Sequence, residues 1–300
     1  MDRDQIAKTL KPVKSLFTAE QVAEKVANET PLQKLFDNRT GPSVNGSPSI
    51  DYHVFSPEKN GKKHPVLIWL HGMAQGSCFR EPVRGTDVAN FASPAFQEKL
   101  GGSAYVVVPR ANEDLGDYST EIFYFTNSWL AGEGDLPGNP QIPELVGALR
   151  QFMAEEAEHI DLNRIYLAGF SAGGYMTWQT LLAMPEVFAA VAPICHARFI
   201  PSDAQLQSVS QIPMWLICGE KDFLYEPFVA PTIEKIKTTH NPEKLRITLL
   251  ESVLNPDRTP APSEHHSWVP VTFDMFYADG AVYDEKYPKG FIDWLVENPK

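Results

Sequence analysis

The chain has 300 residues, with 38 acidic and 26 basic side chains and a formal net charge of −12. An acidic surface repels phosphate backbones and anionic lipid, so neither nucleic acid nor a membrane is an expected partner. Three cysteines are too few for a disulfide framework. The start, MDRDQIAKTLKPVK, lacks the apolar core of a signal peptide. With Met1 as the natural start we expect a cytoplasmic protein, whose oligomeric state the composition leaves open.

Residues 1–40 are predicted to form a peripheral N-terminal helical segment. Thr30 and Gln33 have the spacing of a capping box, in which each side chain binds the other residue's backbone amide. A turn-rich connector, GPSVNGSPS, follows at 41–49. We therefore expect the main domain to span 41–300.

From residue 50 onward, strand and helix patterns alternate along the chain. The alternating residues 50–55 predict an edge strand. Short continuous apolar runs predict strands buried on both faces at 65–70 and 104–109. Further strands are predicted at 164–169, 188–194, 213–218 and 245–250. Helical patterns occur at 142–153, 172–184, 227–239 and 290–297. This alternation predicts an α/β fold, with a mostly parallel central sheet and helices on both faces.

A long stretch at 110–140 interrupts the alternation. It contains Tyr118, Phe125 and Trp129 among glycines and acidic residues. Long irregular stretches inside a compact domain are often functional. We expect a cap insertion whose three aromatic side chains line a substrate site; burial in the core is the alternative.

The sequence GFSAG at 169–173 lies between a predicted strand and a predicted helix. This is the setting of the G-x-S-x-G nucleophile elbow. Its glycines leave room for a tight turn that raises the serine hydroxyl above the sheet, and the following helix directs its amides at developing negative charge. The motif predicts Ser171 as a catalytic nucleophile.

The sequence LHGMAQ at 70–75 follows an early buried strand. An acyl-transfer enzyme needs two amide donors near the carbonyl oxygen, one after the nucleophile and one from an early strand-to-helix loop. We assign these donors to Ala172 and Met73. His71 is a less consistent candidate for the general base, because it precedes the nucleophile in the chain.

Candidates for the acid and the base follow later strands. GEKD at 219–222 would lie at the carboxyl edge of the sheet, where Asp222 is favoured as the acid and Glu220 is the alternative. The base should come last in chain order, and both His265 and His266 qualify. No cysteine or histidine cluster has the spacing of metal ligands, so no metal is implied.

Together, LHGMAQ, GFSAGGYMTWQTLLAMPEVFAAVAPIC, GEKD and HHSW resemble the esterases grouped with polyhydroxybutyrate depolymerases and feruloyl esterases, in the α/β-hydrolase superfamily. The resemblance covers residues 50 to 297. Members of this group cleave carboxylic esters with a Ser-His-Asp triad and need no cofactor. It implies an α/β-hydrolase fold, a small-molecule ester substrate and a triad of Ser171, Asp222 and one of the two histidines.

The spacing to Trp268 bears on the choice of histidine. Many relatives place it three residues before a tryptophan, which selects His265, and others two residues before, which selects His266. We favour His265 as the catalytic base on this resemblance, with His266 as the alternative. The chain departs from the group at 110–140, which has no counterpart to align, so the resemblance does not identify the substrate. Related peptidases share this layout, which keeps amide cleavage open, and a non-catalytic binding protein is a further alternative.

Overall fold

An eight-stranded sheet forms the centre of the molecule. The computed structural model describes residues 20, 24, 27–46, 49–73, 75–77, 80–111, 139, 141–275 and 290–300. Its strands are β1 (Asp37–Thr40), β2 (Asp51–Phe55), β3 (His64–Leu70), β4 (Tyr105–Pro109), β5 (Ile160–Phe170), β6 (Ala190–Ile194), β7 (Met214–Gly219) and β8 (Leu245–Leu250).

The strand order across the sheet is β1-β2-β4-β3-β5-β6-β7-β8. Strands β3 to β8 run parallel, whereas β1 and β2 are antiparallel to their neighbours. Parallel strands need crossover connections, which the helices provide. The carboxyl ends of β3, β5, β6 and β7 therefore meet along one edge of the sheet.

Helices pack against this sheet and against one another. They are α1 (Glu81–Arg84), α2 (Pro94–Lys99), α3 (Ile142–Glu155), α4 (Ala172–Ala183), α5 (Asp203–Ser208), α6 (Ala230–Thr239), α7 (Val269–Thr272) and α8 (Phe291–Val296). Helix α4 contacts β3, β5 and β6. The predicted parallel sheet with helices is confirmed.

The core is centred on the inner strands of the sheet and includes apolar side chains of the helices. Every residue of β3, β4, β6 and β7 is buried. Trp69, Trp178 and Trp215 are fully buried, on β3, α4 and β7. Aromatic side chains of this size contribute much of the apolar area removed from water.

The prediction that residues 1–40 form a helical segment was wrong for the last residues of that segment. Residues 37–40 form β1 rather than a helix, so the sheet begins before the predicted domain boundary at 41. The predicted Thr30–Gln33 capping box is present, with both amide-to-side-chain bonds, but it starts only the 3-10 turn Gln33–Leu35. Backbone pairing with β2 and the ion pair of Arg39 with the buried Glu156 favour the extended conformation. As a result β2 is an inner strand, not the predicted edge.

Candidate active site

Ser171 occupies a sharp turn between β5 and α4. Its backbone has φ 55° and ψ −120°, a strained conformation for a residue with a side chain. A Cβ on Gly169 would lie 2.6 Å from the Gly173 carbonyl oxygen, and one on Gly173 would lie 2.0 Å from that of Leu70. The flanking glycines are therefore required by the close approach of the backbone, as the elbow motif predicts.

His265 lies between the serine and a carboxylate. Its Nε2 is 2.9 Å from Ser171 Oγ, and its Nδ1 is 2.8 Å from Asp222 Oδ2. The Asp222 side chain is buried, and its other oxygen accepts the Leu224 N–H at 2.9 Å. The structure thus brings Ser171, His265 and Asp222 into one hydrogen-bonded chain.

The two alternative residues lie outside this chain. His266 Nδ1 bonds to Ser263 Oγ at 2.9 Å, and its ring packs on Trp268 with centroids 4.5 Å apart. Glu220 is exposed, although it follows β7 closely. Neither side chain bonds to the serine or to Asp222 in the part of the chain that is described.

The loop after β3 packs against the first turn of α4. A Cβ on Gly173 would come within 2.5 Å of the His71 carbonyl oxygen as well. The Gly72 N–H donates to Gln75 Oε1 at 2.9 Å, which fixes the shape of the loop. Ala172 is buried at the start of α4, and Met73 is 41% exposed on the loop. The two predicted amide donors therefore lie on segments that contact each other beside the serine.

His71 holds this loop in place and does not have the surroundings of a base. Burial lowers the pKa of His71 to about 3. Its Nδ1 bonds to the Gly72 carbonyl oxygen at 2.6 Å, and its Nε2 accepts the Ala111 N–H at 3.0 Å. Both nitrogens are engaged, and the neutral ring ties the loop to the end of β4.

Two buried cysteines lie behind the carboxylate. The Cys218 thiol is 3.9 Å from Asp222 Oδ2, and the Cys195 thiol donates to the His265 carbonyl oxygen at 3.4 Å. The pKa of Cys195 is raised well above its usual value, mainly by burial and to a smaller extent by the nearby Cys218 and Asp222. Burial likewise raises the pKa of Cys218. Since the thiolate is the reactive form, neither cysteine has the character of a nucleophile.

Among the described residues, one cluster offers three side chains of the kinds that bind metals: Cys195, Asp222 and His265, with ligand atoms within 4.8 Å of one another. Asp222 and His265 already share the 2.8 Å hydrogen bond. A metal ion between them would have to displace that proton. A separate groove of about 790 Å³ borders β8, and none of the triad side chains lines it.

Phe223 is a site residue that the sequence analysis did not single out. It is 70% exposed, and its ring centroid is 4.8 Å from that of His265. The exposed phenylalanine ring therefore lies beside the imidazole of the hydrogen-bonded chain. Its position directly after Asp222 was the available signal. The predicted lining residues Tyr118, Phe125 and Trp129 lie outside the described residues.

Comparison with known proteins identifies the fold. Residues 128–200, which include the elbow, match the model of the prolyl oligopeptidase family. A thermostable esterase of known structure aligns over 90% of this chain and 64% of its own, with a TM-score of 0.64 and 23% identity. The chain has the α/β-hydrolase fold.

Two curated proteins are similar to this chain in sequence. A bifunctional acetylxylan esterase/xylanase of Neocallimastix patriciarum is 25% identical over 57% of the chain, and a poly(3-hydroxybutyrate) depolymerase of Ralstonia pickettii is 27% identical over 50%. The matches span 21% and 29% of these relatives' own lengths. The resemblance to depolymerases and related esterases that the motifs predicted is confirmed. Within the described part of this α/β-hydrolase fold, no helix has the length and apolarity needed to span a bilayer.

Proposed function

We propose that the chain is a serine hydrolase that cleaves a small-molecule carboxylic ester through an acyl-enzyme. The observation that carries the proposal is the pair of hydrogen bonds from His265 to Ser171 at 2.9 Å and to Asp222 at 2.8 Å. Nucleophile and base within hydrogen-bond reach, with the base oriented by a third group, form the arrangement that activates a serine.

In the first half-reaction, Ser171 Oγ attacks the acyl carbon while its proton passes to His265 Nε2. The carboxylate of Asp222 holds Nδ1–H and stabilises the imidazolium that results. The amides of Ala172 and Met73 donate to the oxyanion. His265 then gives its proton to the leaving alcohol, and the acyl group remains on the serine.

In the second half-reaction, water attacks the acyl carbon of the acyl-enzyme, and His265 takes a proton from that water. Collapse of the second tetrahedral intermediate releases the carboxylic acid and returns the proton to Ser171. Every proton transfer uses the same imidazole nitrogen, so this cycle needs no metal or organic cofactor.

The ester class is favoured over the amide class by the names of the curated relatives, an acetylxylan esterase and a depolymerase of a polyester. Amide cleavage is the second candidate, because the matching family model is that of prolyl oligopeptidases. Both classes use the same triad chemistry and differ in the leaving group.

A direct comparison of substrates tests the choice. We expect a short-chain acyl nitrophenyl ester to be hydrolysed with a kcat/KM at least about a hundredfold above that of an aminoacyl nitroanilide. Preference for the anilide would assign the chain to the peptidases instead. The Ser171→Ala variant, run beside the wild type, separates enzymatic from spontaneous ester hydrolysis.

A further inference from the structure

We propose that Ser267 is a positioning residue that sets His265 at the correct distance from both Asp222 and Ser171. The inference rests on the proposed serine hydrolase function. Among the described residues, the Ser267 hydroxyl bonds to Gly219 and Glu264 and not to Ser171 or the Asp222 carboxylate, so it would act through the histidine loop. We define this loop as residues 264–268.

The Ser267 hydroxyl joins the loop to the strand that precedes the acid. It accepts the Gly219 N–H at 2.9 Å and donates to the Glu264 carbonyl oxygen at 3.1 Å. Ser267 is completely buried, so bulk water does not compete for these bonds. The hydroxyl is thus both acceptor and donor, and the residue that it holds, Glu264, directly precedes His265.

Gly219 connects this tie to the carboxylate. It is the last residue of β7, and its carbonyl oxygen accepts the Asp222 N–H at 3.1 Å. A Cβ on Gly219 would lie 2.6 Å from the Glu264 carbonyl oxygen, so the histidine loop lies directly on the end of β7. The single residue Gly219 therefore contacts the acid turn through its C=O and the histidine loop through its N–H.

Other contacts hold the histidine loop at different points. Trp268 stacks on Phe170 with ring centroids 4.2 Å apart, and Glu264 Oε2 accepts the Val253 N–H at 2.8 Å. These contacts fix the ends of the loop to the elbow and to the segment after β8. The Cys195 thiol also donates to the His265 carbonyl oxygen at 3.4 Å. The Ser267 hydroxyl differs from these contacts because it ties the loop to the end of β7, the strand that leads to Asp222.

Loss of the hydroxyl should therefore slow the chemistry more than it weakens substrate binding. A displacement of about 1 Å in a catalytic group can cost about a hundredfold in rate. In Ser267→Ala we expect kcat to fall by about 10- to 100-fold, with KM within about twofold of the wild type. The rate at which a fluorophosphonate labels Ser171 should fall by a similar factor, because labelling needs the same base.

A matched control separates positioning from general loss of stability. Thr248 Oγ1 accepts the Trp215 Nε1–H at 2.9 Å, and both residues are buried in β8 and β7. Thr248→Val removes a buried acceptor for a β7 donor without touching the histidine loop. We expect it to lower the melting temperature and to leave kcat unchanged.

The conservative variant completes the test. Ser267→Thr keeps the hydroxyl, and we expect it to recover at least about half of the logarithmic loss in kcat. If Ser267→Ala does not fold, Ser267→Cys, whose thiol bonds more weakly, should show the same loss of kcat at near-constant KM. Wild-type kcat in the folded alanine variant, or an equal loss in Thr248→Val, would overturn the positioning role. A wild-type protein that is neither labelled nor active on esters or anilides would instead refute the proposed function.

Discussion

His265 and His266 are adjacent in the chain but have different surroundings. His265 bonds to Ser171 and Asp222, and its backbone carbonyl oxygen accepts the Cys195 thiol. His266 bonds to Ser263 and packs on Trp268. Successive side chains on a loop of this kind point in different directions, so only one of the two imidazoles reaches the serine. The motif alone offered two candidates, whereas their positions distinguish them.

Alanine variants of the two histidines test this difference. His265→Ala should lose at least about a thousandfold in kcat for an ester, the scale expected for a triad member. His266→Ala is the matched control, with an imidazole of the same loop removed, and should stay within about tenfold of the wild type. Steady-state ester hydrolysis measures both. The reverse pattern would assign the base to His266, and equal activity in both would place the base elsewhere.

At the scale of elements, a buried ion pair connects two segments that are far apart in sequence. Glu29 precedes β1, and Arg80 directly precedes α1. Arg80 binds both carboxylate oxygens of Glu29, at 2.7 and 2.9 Å. The same guanidinium donates to the carbonyl oxygens of Phe36 and Gln33 and to Asn38 Oδ1. Arg80 and Glu29 are 4% and 6% exposed, so the pair is almost fully removed from water. Removal of one partner would leave the other charge buried.

We expect Arg80→Met to lower the free energy of unfolding by about 3–5 kcal/mol, the usual result of stranding one member of a buried pair. The control is Arg164→Met. Arg164 bonds to Asp161 at 2.7 Å, but both side chains are about one-quarter exposed, and we expect a change of about 1 kcal/mol or less. Urea unfolding of both variants provides the comparison. Similar losses in the two would mean that the Glu29–Arg80 pair has no special structural role.

The elements that could be predicted are those whose signals are local. The apolar runs of β3 and β7 and the elbow motif each fit within a few residues, and the structure has these elements within a residue or two of the predicted bounds. Strand β1 could not be predicted in this way. Its residues DNRT have no apolar pattern, and they are extended because they pair with β2 and because Arg39 binds Glu156. Neither interaction is visible in the local sequence.

At the scale of the whole molecule, the candidate site is assembled from segments that lie far apart in sequence. Ser171, Asp222 and His265 follow three different strands, and parallel pairing brings the ends of those strands together. The elbow motif predicted Ser171, and chain order with the family resemblance favoured Asp222 over Glu220 and His265 over His266. The positions of Ser267 and Phe223 beside these residues depend on the approach of two loops, which spacing in the sequence does not reveal.

Two buried histidines should make the free energy of unfolding of the molecule depend on pH. Burial lowers the pKa of His71 to about 3 and that of His196 to about 4, below the ordinary value of 6.5 that the unfolded chain regains. Between these values the unfolded state binds more protons than the folded state. Stability should therefore fall as the pH drops from about 6.5 towards 4, by about 1.4 kcal/mol per pH unit for each such group.

His196→Phe should reduce the steepness of this fall. The ring of His196 lies against Trp178, and its Nε2 is 3.3 Å from Thr232 Oγ1. The Thr232 hydroxyl also donates to the Phe228 carbonyl oxygen, so it keeps a hydrogen-bond partner when the imidazole is replaced. The free energy of unfolding is measured from pH 7 to pH 4 for the variant and the wild type. Its decrease per pH unit should be smaller in the variant, by up to about 1.4 kcal/mol. An unchanged slope in His196→Phe would mean that His196 is not kept neutral by burial.

The nucleophile is the centre of the proposed chemistry, and covalent labelling measures it most directly. A fluorophosphonate reacts with a serine that a neighbouring base has activated. Intact mass should show one probe per wild-type chain and none on Ser171→Ala, which should fold normally because the change is small. The variant should also lose ester hydrolysis by several powers of ten. A wild-type chain that takes up no probe, or a Ser171→Ala variant that is still labelled and active, would contradict the assignment of Ser171.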